Sequence, residues 1–139
     1  MGLFNKSSKE KKQHVKVDHS WKLTSNKEAV IKIMDENSIK NGTVLIPKVL
    51  FEYFEIKHNK EGKAYKITIR FMKGNYDCTI EKINEEQAIL NFDVDFKKTL
   101  IGVDESFNRD LEGEGRVYIK FLKRNKDLYD VNMGIAHMK

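Results

Sequence analysis

Between residues 65 and 96 apolar and polar side chains alternate almost without interruption. Tyr65, Ile67, Ile69 and Phe71 alternate with Lys66, Thr68 and Arg70. Tyr76, Cys78 and Ile80 alternate with Asp77, Thr79 and Glu81, and Ala88, Leu90, Phe92, Val94 and Phe96 with Ile89, Asn91, Asp93 and Asp95. Successive side chains of a strand point to opposite faces, so a period of two gives each strand one apolar and one wet face. The turn-forming runs Lys73-Gly74-Asn75 and Asn84–Gln87 separate the three stretches. Short connections between amphipathic strands predict an antiparallel meander with one face buried and the other in water. Any fold available to this chain must cover that apolar face.

The remaining segments supply the cover. Val15, Val17, His19, Trp21 and Leu23 alternate with polar residues and predict a strand. Ser25 and Glu28 have capping-box spacing, and Ala29, Val30, Ile33 and Met34 then share a helical face, which predicts a short helix over 26–37. Asn41-Gly42 reads as a turn, and Thr43–Ile46 as a short strand ended by Pro47. Val49, Leu50, Tyr53 and Phe54 support a second short helix over 48–55, with a strand as the competing reading. After the meander, Lys97–Ile101 reads as one helical turn and 102–114 as a polar loop. Val117, Ile119 and Phe121, then Tyr129, Val131, Met133 and Ile135, alternate on either side of a turn at Arg124–Asp127 and predict a final hairpin. The predicted class is α+β, mainly antiparallel β: a strongly curved sheet or small barrel of about seven strands with two short helices. Closure would hide the sheet edges; an open two-layer sheet is the competing architecture.

The 139 residues suit one domain. Alternation begins at Val15, which predicts a disordered basic tail over 1–13 and a single β-rich domain over 14–139. No apolar run approaches the roughly 20 residues of a transmembrane helix. The segment beginning MGLFNKSSKEKK lacks the apolar stretch of a signal peptide, and one cysteine, Cys78, permits no internal disulfide. A cytoplasmic protein is expected. The excess of lysine (22) over arginine (4) suggests an AT-rich genome, such as that of a bacterium or its mobile elements.

The net charge of +5 is unevenly distributed. Residues 1–16 carry +4, residues 17–114 carry −3 and residues 115–139 carry +4. Within the middle segment, 81–114 holds ten carboxylates against Lys82, Lys97, Lys98 and Arg109. A basic patch, rather than an isoelectric point, is the footprint of a polyanionic partner.

Several chemistries lack their residues. His14, His19, His58 and His137 are scattered without metal-ligand spacing, and no phosphate-binding glycine loop or nucleophile elbow is present. Asp77 followed by Asp95-Phe-Lys97 loosely matches the acidic residue and acid-x-lysine of metal-dependent nucleases, but a run this rich in Asp, Glu and Lys produces such matches by chance. Neither an enzyme nor a cofactor is expected. The architecture is similar to the PilZ type of barrel, which binds a cyclic dinucleotide through an RxxxR run and a [DN]xSxxG run. Both runs are missing here, so no ligand transfers. The element order also resembles that of the DNA-binding pseudobarrels of some restriction enzymes and plant transcription factors, and this resemblance implies a DNA partner.

The expected function is a small binding module for nucleic acid, most readily DNA. The expected site comprises Lys66 and Arg70 on one strand, Arg116, Tyr118, Lys120 and Lys123 on another, and Arg124 at the hairpin turn. The basic groups would meet phosphates, Tyr118 would stack on a base, and the tail would add non-specific attraction. The alternative is a protein-interaction module, an accessory, assembly or inhibitor protein of a bacterial or mobile-element system. Small-ligand barrels and membrane-surface contact through Leu3, Phe4 and the tail lysines complete the range. Geometry discriminates between the first two. Basic residues on one face with Asp93, Asp95, Glu112 and Glu114 opposite favour nucleic acid, and interleaved signs favour a protein.

The alternation makes one direct prediction. Ile69→Asp should abolish the cooperative thermal transition, because an unpaired buried carboxylate costs several kcal/mol, whereas Thr68→Asp should melt within a few degrees of the parent. Equal tolerance of the two would refute the facing of this strand.

Overall fold

The computed structural model describes residues 15–18, 20–111 and 115–137. The chain runs β1 (Val15–Asp18), β2 (Trp21–Leu23), β3 (Ala29–Ile33), α1 (Glu36–Asn41), β4 (Thr43–Pro47), a 3-10 turn (Lys48–Leu50), β5 (Ala64–Phe71), β6 (Gly74–Lys82), β7 (Gln87–Asn91), α2 (Val94–Leu111), β8 (Gly115–Asn125) and β9 (Leu128–His137). These strands form one curled sheet in the order β1-β2-β3-β8-β9-β5-β6-β7-β4. Neighbours are antiparallel except β5 and β9, which run parallel. The predicted α+β, mainly antiparallel class holds, as do the meander β5-β6-β7 and the hairpin β8-β9. The segment 1–13 lies outside the described residues.

The inner face of the curl is the core. Ile67 and Ile69 of β5, Cys78 and Ile80 of β6, Ala88 and Leu90 of β7, Val117, Ile119 and Phe121 of β8, and Tyr129 and Val131 of β9 are all buried. Each is the apolar member of an alternating pair, so the sequence period sets which side faces inward. At one end α2 packs into the curl, where Phe96 contacts Phe71, Tyr76 and Phe92 at ring separations of 5.0–5.9 Å. At the other end the segment after the 3-10 turn inserts Phe54 against Trp21, Phe121 and Tyr129, at 5.5–6.1 Å. Trp21 then joins the two sides of the sheet: its indole N–H donates to the Leu45 carbonyl on edge strand β4, 3.0 Å away. Among the described residues no helix is long and apolar enough to cross a membrane.

Several local expectations are corrected. Residues 29–33 are strand β3, not helix, paired residue for residue with 118–122 of β8. The β-branched Val30, Ile31 and Ile33 suit a pleated surface, and the supposed capping box is the β2–β3 turn, closed by Thr24 N–H to the Ala29 carbonyl at 3.0 Å. The first helix begins later, at Glu36, where the Asp35 carboxylate accepts the Ser38 N–H at 2.7 Å. It ends at Gly42, whose left-handed φ of 72° lets its N–H reach the Ser38 carbonyl, so the expected Asn-Gly turn is a helix C-cap.

Residues 94–96 belong to α2 rather than to a strand, and 102–111 continue that helix rather than forming a loop. Asp93 starts it: its carboxylate accepts the N–H groups of Asp95 and Phe96 at 2.8 and 3.4 Å. Phe96, Leu100, Val103 and Phe107 then form the stripe that packs on the core. The segment 48–55 is a single 3-10 turn followed by irregular turns, and the strand expected over 15–23 breaks into β1 and β2.

Trp21 closes the curl, which makes its N–H testable. Trp21→Phe retains an aromatic ring but leaves the Leu45 carbonyl without this donor. The expected cost is about 1 kcal/mol, together with faster amide exchange in β4. Unchanged exchange across 43–46 would show that the bond does not hold this edge.

Candidate nucleic-acid interface

Alternation that sends Val117, Ile119 and Phe121 inward turns Arg116, Tyr118, Lys120 and Leu122 outward on β8. The same parity turns Lys66, Thr68 and Arg70 outward on β5. The two strands are not neighbours, because β9 lies between them. Its outward residues, Asp130, Asn132 and Gly134, therefore complete the face.

Register places side chains in transverse rows. Lys22, Ile31, Lys120 and Asn132 align across β2, β3, β8 and β9. Among the described residues neither Lys22 nor Lys120 has an ion-pair partner. The next row is Ile33, Tyr118 and Gly134. The Tyr118 ring lies across Gly134 so closely that a Cβ there would stand 2.7 Å from Tyr118 Cε2. Glycine thus allows the ring to lie over the neighbouring strand, leaving its outer side as a platform beside Lys120 and Asn132. Asn132 and Lys22 were missing from the sequence-based site because only the strand register reveals them.

The other expected site residues are more constrained. Arg70 is bound by Asp130 through two hydrogen bonds, at 2.6 and 3.0 Å, and Arg124 Nε meets the same carboxylate at 2.6 Å. Held between two guanidinium groups, the Asp130 carboxyl is pulled down to about 2, and the Arg70 guanidinium is raised by the same contact. Lys66 Nζ lies 3.7 Å from the Asp77 carboxylate across the β5–β6 pair. Lys123 has inward parity and does not share the face. Its ammonium donates to the Tyr53 carbonyl at 2.8 Å and pairs with Glu55 at 2.7 Å at the mouth of the barrel. Arg116 is exposed at the start of β8.

The signs on the face are therefore mixed, with Asp77 and Asp130 set among the cations. Of the four carboxylates expected opposite, Asp93 and Asp95 lie at the start of α2, away from the outer rows, and Glu112 and Glu114 are outside the described residues. Asp95 is helical rather than on a strand face, so it does not extend the Asp77 surface as the nuclease-like spacing assumed. Among the described residues no three His, Cys, Asp or Glu side chains are grouped to hold a metal. Cys78 is buried on the inner face, and desolvation raises its thiol to about 11.

No family model matches the chain, and no curated protein matches it. Among solved structures, it is similar to the N-terminal domain of Helicobacter pylori LlaJI.R1 at 14% sequence identity and a TM-score of 0.49. That likeness covers 74% of this chain and 77% of the other.

The Asp130 cluster sets a pH dependence. Its folded-state pKa lies below the ordinary carboxylate value, so its stabilisation is present above about pH 4 and is lost as pH falls through about 2. The difference in thermal midpoint between the parent and Asp130→Asn should be largest near neutrality and shrink below pH 4. A difference independent of pH would exclude this linkage.

Proposed function

We propose that this chain is a non-enzymatic nucleic-acid-binding module, acting on DNA in the cytoplasm, whose contact surface is the outer face of β8 and its neighbours. The observation that carries this reading is the row Lys22–Lys120–Asn132 beside the Tyr118 platform. Ammonium groups without carboxylate partners attract phosphates by releasing counterions. The amide of Asn132 offers donors and an acceptor, and an aromatic ring over a glycine gives a base a flat surface to stack on. Arg70 and Arg124 contribute less directly than their sequence positions suggest. Much of their charge is already spent on Asp130, and they frame the site more than they form it.

A second reading has an observation of its own. The interleaving of Asp77 and Asp130 with Lys66, Arg70 and Arg124 meets the condition that favours a protein partner and suits a protein surface of matching mixed charge. The nucleic-acid reading therefore rests on the Lys22–Lys120–Asn132 row, which holds no carboxylate.

Fluorescence anisotropy with short single- and double-stranded oligonucleotides at two salt concentrations separates the readings. Lys120→Glu should weaken binding at least tenfold, and Tyr118→Ala should weaken it by about 1–3 kcal/mol if a base stacks there. Lys98→Glu, on α2, should change it little. No binding at low salt, or equal losses at Lys120 and Lys98, would abandon the nucleic-acid surface in favour of a protein partner.

A further inference from the structure

At the mouth of the barrel a cleft of about 550 Å³ opens between the β2–β3 turn, the β8–β9 turn and the segment around Tyr53. One hydroxyl fixes its shape. Tyr53 Oη accepts the Lys123 N–H at 3.1 Å, and its proton lies within reach of the Glu28 carbonyl at 2.9 Å and the Phe121 carbonyl at 3.1 Å. The walls are thus fastened to each other before any ligand arrives.

Cations dominate the lining: Lys27, Lys123, Arg124 and Lys126, against Glu28 and Glu55. Lys123 is committed to Glu55, whose carboxyl it holds below the ordinary range, and Arg124 is committed to Asp130. Among the described residues Lys27 and Lys126 make no ion pair within 4.0 Å, although the charge of Lys126 also helps to hold the Glu55 carboxyl low. They stand on two different turns facing one cleft.

The backbone marks the same place. Three non-glycine residues among those described adopt a left-handed φ, and two of them, Lys27 at 62° and Glu55 at 56°, line this cleft. That conformation favours Gly or Asn. A lysine in a turn that glycine would occupy more easily gives up backbone ease to place an ammonium, and such outliers gather at ligand sites.

We propose that this cleft is a phosphate-binding site, with Lys27 and Lys126 as its principal contacts. Compact ammonium point charges on separate walls suit a tetrahedral anion approached from two sides. Arg124 and Leu122 connect the cleft to the outer face of β8, so its natural occupant is a phosphate of the nucleic acid crossing that face. This last step rests on the function proposed above.

The test compares the full chain, Lys27→Gly with Lys126→Gln, and a control with Lys40→Gln and Lys98→Gln on the helices. Glycine suits the backbone at 27, so the cleft variant should fold at least as well as the parent. Two readouts separate the claims. In thermal melts, pyrophosphate should raise the midpoint of the parent and the control but not of the cleft variant. In oligonucleotide titrations, the cleft variant should lose about 1.4–1.8 from the slope of log affinity against log salt, for two phosphate contacts. Equal pyrophosphate stabilisation of all three proteins would overturn the site. An unchanged salt slope would remove the cleft from the nucleic-acid path while leaving the β8 face in place. Pyrophosphate binding confined to the intact cleft, with no oligonucleotide bound, would uphold the phosphate site and reject the nucleic-acid reading.

Discussion

Among the described residues the nine-stranded sheet has two edges, β1 and β4, and Trp21 on β2, one strand in from the first, reaches across to the second. The ring packs between Phe54 and Phe121 while its N–H reaches the Leu45 carbonyl on the far edge strand. The residue thus works by apolar burial and by a directed bond at once, which only an amphipathic aromatic can combine. It also accommodates a charge. The Lys32 ammonium lies 5.4 Å from the Trp21 ring centroid and donates to Ser20 Oγ at 2.6 Å, so a nearly buried lysine keeps both a cation–π contact and a hydrogen bond. With the curl closed, one face of every central strand is dry. Alternation then leaves the polar residues on the outside, where their charges are arranged by register rather than by sequence distance.

Register explains why the charge pattern resolves as it does. Asp130 lies opposite Arg70 because β5 and β9 run parallel at that point, and opposite Leu122 because β8 and β9 are antiparallel. Arg124, at the register shift near the end of the β8–β9 ladder, completes the cluster. Three of the seven sequence-inferred site residues are thereby taken up by carboxylates at 2.6–2.7 Å: Arg70, Arg124 and Lys123. The positive character that remains is carried by Lys120, which the sequence already pointed to, and by Lys22, Lys27 and Lys126, which were not among the expected site residues.

Much of the fold was legible in the sequence because strands expose their facing in a period of two. Strands β5, β6, β8 and β9 follow that rule over eight to eleven residues each. Reading failed where one pattern fits two structures. Ala29, Val30, Ile33 and Met34 lie on one side of a helix, yet in a strand paired on both edges Val30 faces inward and Ile31 and Ile33 outward, and tertiary pairing decided. It failed again at α2. Asp93 looks like the wet residue of a strand but is a helix cap, and Gly102 masks a stripe from Phe96 to Phe107. Of the site, the outward parity of Lys66, Arg70, Tyr118 and Lys120 was legible. Lys22, Asn132, Lys27 and Lys126 were not, because each acquires its neighbours only through turns and strand pairings between distant segments.

The central claim is that nucleic acid meets the chain on the outer face of β8 and at the mouth of the barrel. Amide chemical-shift mapping of the labelled full chain, titrated with a short DNA duplex, addresses it residue by residue. The account predicts that the largest shifts fall at Lys22, Tyr118, Lys120, Asn132 and Gly134 and at the turns carrying Lys27 and Lys126, with β4 and the start of α2 unmoved. Shifts concentrated instead at exposed Leu45 and Val49, or no shifts at low salt, would contradict it.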